Sequence, residues 1–136
     1  MPTGIRTTAG GESHGNPFVG PINYSAHVKV DVSALTAFEI DTYGYLKPGV
    51  PLTQAGLLVG AGGFVFGVSI EGSRVANSNS AADIAAVLAA DDPFAVVATI
   101  AQVNQDIIED TLGRVLTANE LAGFDLAGSK IVLIRT

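Results

Sequence analysis

Glycine cuts the apolar sequence of this chain into short pieces. The most apolar stretch, residues 57–70, carries Gly60, Gly62, Gly63 and Gly67. It is too short and too often interrupted to supply the ~20 consecutive apolar residues of a membrane-spanning helix. Such a stretch can instead make two core strands about a turn, with β-branched and aromatic residues flanking Ala61-Gly62-Gly63. The rest of the chain is punctuated in the same way, so short strands, short helices and tight turns are the expected units.

At 136 residues, the chain has the length of one ordinary domain, able to bury about 68% of the surface that its unfolded form exposes. Hydrophobic residues make up 48% and charged residues 15%, with a mean hydropathy of +0.41. So few charges leave part of the exterior apolar, and apolar exterior is commonly shared with a partner. The net charge of −6 comes with seven dispersed basic residues. That excludes the clustered Lys and Arg that hold a phosphate backbone, and nucleic acid is not an expected partner. There is no cysteine, hence no disulfide framework, thiolate nucleophile or zinc ribbon. The first six residues show neither a basic leader nor an apolar core, so synthesis and use in the cytoplasm are expected, without secretion.

Residues 1–23 contain Gly4, Gly10, Gly11, Gly15 and Gly20 with Pro2, Pro17 and Pro21, and show no apolar periodicity. They read as an extended N-terminal arm without a core of its own. Ile5, Phe18, Val19 and Ile22 are scattered through it, and an arm of this kind orders by lying along another surface or adding a strand to a neighbouring sheet. From Tyr24 onward, Ala26, Val28, Val30 and Val32 alternate with Ser25, His27, Lys29 and Asp31, which predicts a half-buried strand. Residues 36–42 predict a second strand. Pro48-Gly49 suits a type II turn.

Further along, Ser80 and Asp83 resemble a capping box ahead of strong helix formers at residues 81–90, with Asp91-Asp92-Pro93 as the stop. Residues 95–101 predict a buried strand. Residues 105–112 predict a helix with Ile107, Ile108 and Leu112 inward and Glu109 and Asp110 outward. Thr117-Ala118-Asn119-Glu120 forms a second capping box, opening a short helix to Gly123 or Phe124, and residues 130–135 form a final core strand. No internal repeat or linker is visible, so one α+β domain is expected over residues 24–136.

The residues that could carry chemistry do not stand in the setting that a known motif requires. The glycine run 60–67 lacks G-x-G-x-x-G spacing and a Gly-Lys-Ser/Thr ending, and strand follows it where a nucleotide loop requires helix. His14 falls in the arm and His27 on the polar face of a strand. Ser25 stands in no G-x-S-x-G pattern, and Gly11-Glu12-Ser13-His14-Gly15, which has that spacing, falls in the arm without the strand and helix that a nucleophile elbow joins. Asp91-Asp92 and Glu109-Asp110 are adjacent pairs, which do not converge as catalytic carboxylates must, and no EF-hand or His-x-x-x-His spacing supplies further metal ligands. No catalytic, cofactor or metal residue is assigned, and a structural or binding module is expected in place of an enzyme.

The order of parts resembles the head decoration, or capsid cement, proteins of tailed bacteriophages. The resemblance is carried by the Gly/Thr/Pro arm, by Tyr45-Leu46-Lys47-Pro48-Gly49-Val50-Pro51-Leu52 after the early strands, and by Phe66-Gly67-Val68 in a Gly-rich β segment. It extends through Val103-Asn104-Gln105-Asp106-Ile107-Ile108-Glu109-Asp110-Thr111-Leu112-Gly113-Arg114 to Ser129-Lys130-Ile131-Val132-Leu133-Ile134 at the close. It implies a small β-rich (β-tulip-like) domain with short helices, forming homotrimeric knobs at threefold and quasi-threefold positions of an icosahedral capsid. It further implies that the arm binds the major capsid protein on the virion surface, with Ile5, Arg6, Phe18, Val19 and Ile22 as candidate contacts. The helix at residues 81–90 departs from the simplest members, so no trimer contact is transferred. The alternatives are another virion assembly protein, such as a tail or neck subunit, and a small-molecule-binding domain using the region from Gly60 to Gly67.

Overall fold

A computed structural model describes residues 15–31, 35–72, 74–87, 94–128 and 130–135. The elements in chain order are β1 (Phe18–Lys29), β2 (Pro51–Leu52), β3 (Gly67–Gly72), α1 (Ala81–Val87), β4 (Phe94–Asn104), α2 (Gln105–Leu112), α3 (Ala118–Ala127) and β5 (Ile131–Ile134). The strands form one sheet in the order β1-β4-β3-β2, with β5 also paired to β4. All pairings are antiparallel except β4 with β5. The domain is therefore β-rich α+β, with short helices, as the sequence leads one to expect. No helix among the described residues is long and apolar enough to cross a membrane.

Strand β4 is a run of alanine and β-branched residues, the composition that fits a pleated surface covered on both sides. Ala95, Val97, Ala98 and Val103 are fully buried. The sheet is packed so closely here that Gly67 of β3 has no room for a side chain: a Cβ would stand 2.5 Å from Val97 Cγ2 and 3.1 Å from the Ala98 carbonyl. β4 then runs into α2 without a linker. Asn104 ends the strand, receives the Asp106 and Ile107 amides on its side chain as N-cap, and donates its own amide to the Pro17 carbonyl at 2.7 Å. Ile108 and Leu112 of α2 face the core as predicted, whereas Ile107 is half-buried.

Thr117 and Glu120 form the reciprocal capping box read from the sequence. Helix α3 continues past Phe124 to Ala127, where Gly128 caps it. Helix α1 begins at Ala81 as expected. Ser80 Oγ accepts the Asp83 amide, while the Asp83 carboxylate receives the Ser78 hydroxyl instead of completing the box. The expected end of this helix falls at residues 88–93, outside the described residues. Pro48-Gly49 makes the expected turn, with Gly49 at φ 92°, a conformation that favours glycine. Buried Ser69 secures that turn by donating to the Lys47 carbonyl and accepting the Val50 amide.

Two predicted strands are absent as such. Residues 36–42 form turns joined by a single bridge, Ile40 to Leu46. The Glu39 carboxylate takes the Thr36 amide and hydroxyl, both at 2.8 Å, and the Asp41 carboxylate takes the Tyr43 and Tyr45 amides. These local acceptors satisfy amides that a ladder would have used. The predicted hairpin about Ala61-Gly62-Gly63 keeps its turn, closed by the Gly63 amide on the Gly60 carbonyl, but its arms diverge. Leu58 bridges to Leu52, the Val65 amide goes to the Gly123 carbonyl, and β3 pairs with β2.

One guanidinium joins distant parts of the chain. Arg114 holds Glu39 Oε2 through Nε and Nη2 at 3.1 and 2.8 Å, and Glu120 Oε1 through Nη1 at 2.8 Å. Glu39 and Glu120 are 1% and 2% exposed, and the Arg114 side chain 17%. Hydrogen bonding to Glu120, then to Glu39, raises the Arg114 pKa above its ordinary value against the opposing effect of burial. Arg114→Met is expected to leave two buried carboxylates uncompensated and to cost about 3–5 kcal/mol, read from urea unfolding. A loss below about 1 kcal/mol contradicts this role.

Glu109 on α2 contributes a pH dependence to stability. Its carboxylate accepts the Leu116 amide at 2.9 Å. That bond is the main cause holding its pKa below the ordinary glutamate value, against desolvation and with help from Gln105 and Arg135. A depressed folded-state value means stability that is present above the unfolded glutamate pKa and lost as pH falls through the folded one. Glu109→Gln is expected to reduce the fall in Tm over the acid limb, measured by circular dichroism from neutral to acid pH. An acid limb identical to wild type contradicts it.

Candidate functional site

The five candidate contacts part company in the structure. Ile5 and Arg6 lie outside the described residues. Phe18, Val19 and Ile22 belong to β1, so residues 18–23, expected in the arm, are a strand of the domain's own sheet. Phe18 pairs with Val103 and is buried in the core. Val19, its neighbour on the opposite side of the strand, is exposed, and Ile22 is half-buried against the core. The strand addition expected from an arm thus occurs within the molecule, because Phe18 has a buried site on β4.

Between Val19 opposite Gln102 and Tyr24 opposite Ile100, β1 bulges: Gly20, Pro21, Ile22 and Asn23 face Ala101 alone. Pro21 donates no amide, and bulges with proline are typical of edge strands. Among the described residues no strand pairs with the outer edge of β1. Beyond the bulge the predicted alternation holds, with Val28 buried and His27 and Lys29 exposed. The His27 ring stacks on Phe94, centroids 5.6 Å apart, which gives this histidine a packing role on the surface.

The register across β4 assembles an apolar face that the sequence does not announce. Ile100 and Gln102, two residues apart, share one side of β4. Tyr24 stands opposite Ile100, while Val19 and Val132 stand opposite Gln102 from β1 and β5. Val19, Tyr24, Ile100 and Val132 are all exposed. On the reverse side, Phe18 and Val103 are buried. Val19 is the one predicted contact on this face. The sequence places Ile100 and Val132 in buried strands, and polar Gln102, in the same parity as Ile100, is the signal against that.

Beside Ile100 the sheet is open. β3 pairs with β4 at Ala98 and below, and β5 pairs from Ala101 upward. Both occupy the edge of β4 away from β1, so Thr99 and Ile100 face a gap between them. The gap is a cleft of about 340 Å³ lined by Phe64, Val65, Phe66, Thr99, Ile100, Leu126, Ala127 and Lys130. It lies beside the glycine-rich region from Gly60 to Gly67, but its walls are aromatic and aliphatic side chains in place of a phosphate-binding helix start. Among the described residues no group of three His, Asp or Glu side chains is placed to hold a metal ion.

Phe18→Ala is expected to lose about 3–5 kcal/mol by emptying its core site, whereas Val19→Asp changes stability by about 0.5 kcal/mol or less. Thermal unfolding of both variants reads the difference, and equal losses contradict the assignment of faces. Comparison with family models, with curated proteins and with solved structures finds no match.

Proposed function

We propose that this chain is a non-enzymatic structural protein of a bacteriophage particle. It binds the outer surface of the expanded capsid as a homotrimer, in the manner of the head decoration proteins that its sequence resembles. The major capsid protein is its partner, and the virion surface is its place of work after synthesis in the host cytoplasm. The domain is read as a β-tulip-like variant with added helices.

The observation that supports this reading is the exposed apolar face of Val19, Tyr24, Ile100 and Val132 around Gln102. An apolar face on a folded sheet suits lasting contact better than solvent. Ile5 and Arg6 precede this face in the chain and complete the proposed contact. One attachment per protomer, repeated three times in a trimer, makes weak contacts act as a strong one.

Co-sedimentation with empty expanded heads tests the reading. The intact protein is expected to pellet with them, while removal of residues 1–14 or Ile100→Asp is expected to release it with little change in Tm. Removal of residues 1–22 also takes Phe18 from the core and is expected to destabilise the domain itself. Failure of the intact protein to pellet, or unchanged binding by both variants, contradicts the proposal. Light scattering that shows rings or tubes favours a tail or neck subunit.

A further inference from the structure

The cleft between β3 and β5 has properties that contact with a capsid does not require. Its floor is Val65, only 1% exposed, and its walls are Phe64, Phe66, Ile100 and Leu126. Phe64, Ile100 and Leu126 are themselves exposed, so apolar surface continues from the interior to the mouth. The volume of about 340 Å³ lies at the lower end of the ~300–1,000 Å³ typical of small-molecule sites.

The cleft follows from the topology. One long strand serves two short ones on the same edge, and their ends do not meet, leaving Thr99 and Ile100 between them. Residues leading into β3 form one wall and residues leading into β5 the other. Lys130 is fixed there by its backbone, its carbonyl accepting the Ala101 amide at 2.9 Å. Lys130 lines the cleft and makes no ion pair among the described residues. In a chain of net charge −6, this places an unpaired cation beside an apolar cleft.

We propose that the cleft is a binding site for a medium-chain alkyl carboxylate, its chain lying between Phe64, Phe66, Ile100 and Leu126 and its carboxylate meeting the Lys130 ammonium. Charge complementarity selects an anion, and the apolar walls select an alkyl chain over a small polar acid. A chain of about eight carbons is the working length for a site near the lower size limit. The cleft shares Ile100 with the proposed capsid face, but octanoate binding by the isolated chain and co-sedimentation with heads read the two sites separately.

Titration of the full chain with octanoate, followed by amide chemical shifts, tests the proposal. Saturable shifts are expected at Phe64, Phe66, Thr99, Ile100 and Lys130, with a Kd of about 1 mM or tighter. Acetate is expected to give none. Lys130→Gln is expected to weaken octanoate about fivefold, the scale of an exposed charge pair, and to leave octan-1-ol unchanged. Leu126→Asp, at an exposed position, is expected to abolish binding of both, with a folded spectrum as control. Absence of saturable shifts in the intact protein overturns the proposal. Equal octanoate affinity in Lys130→Gln overturns the pairing with Lys130.

Discussion

Strand β4 carries three of the four strand pairings: β1 lies on one edge, and β3 and β5 follow one another on the other. That constraint explains much else. Where β3 and β1 flank it, at Ala95, Val97 and Ala98, the strand is buried and closely packed, and Gly67 is needed to let β3 approach. Where β5 and the start of β1 flank it, one side is covered by the core and the other stays open. The exposed face and the cleft both belong to this second half.

Charge is sparse in this chain, and Arg114, Glu39 and Glu120 use it as an internal tie. Arg114 bridges two buried carboxylates that already serve local backbone, Glu39 in the turn after Thr36 and Glu120 at the start of α3. Each carboxylate therefore fastens its own segment and, through the guanidinium, the other. A buried charge cluster of this kind adds little stability over a well-packed apolar one, but losing a single member is costly.

The helices were legible because their signals are local: Thr117 and Glu120 three residues apart, Ser80 before Ala81, and Ile108 and Leu112 one turn apart. Strand β4 was legible from its composition, and the Pro48-Gly49 turn from its residue types. Residues 36–42 misled because Glu39 and Asp41 divert amides into turns, which strand propensity does not register. The start of β1 misled because glycine and proline look like an arm, and only the pairing of Phe18 with Val103 makes it a strand. The exposed face depends on register between β1 and β4 residues 76 and 83 apart in sequence (Tyr24 with Ile100, Val19 with Gln102) and β4 and β5 residues 30 apart (Gln102 with Val132), information that periodicity within one segment does not hold. The cleft depends on where β3 and β5 end, which is set by their separate loops.

If β4 is the element on which the domain depends, its amides open only when the whole domain unfolds. Native-state hydrogen exchange measures this directly. The account predicts that the slowest amides run from Val96 to Val103 and exchange with the free energy of global unfolding, while those of the Gly20–Asn23 bulge open earlier. Exchange of the Val96 to Val103 amides through a local opening, well below the global value and below that of α2 and α3, contradicts it.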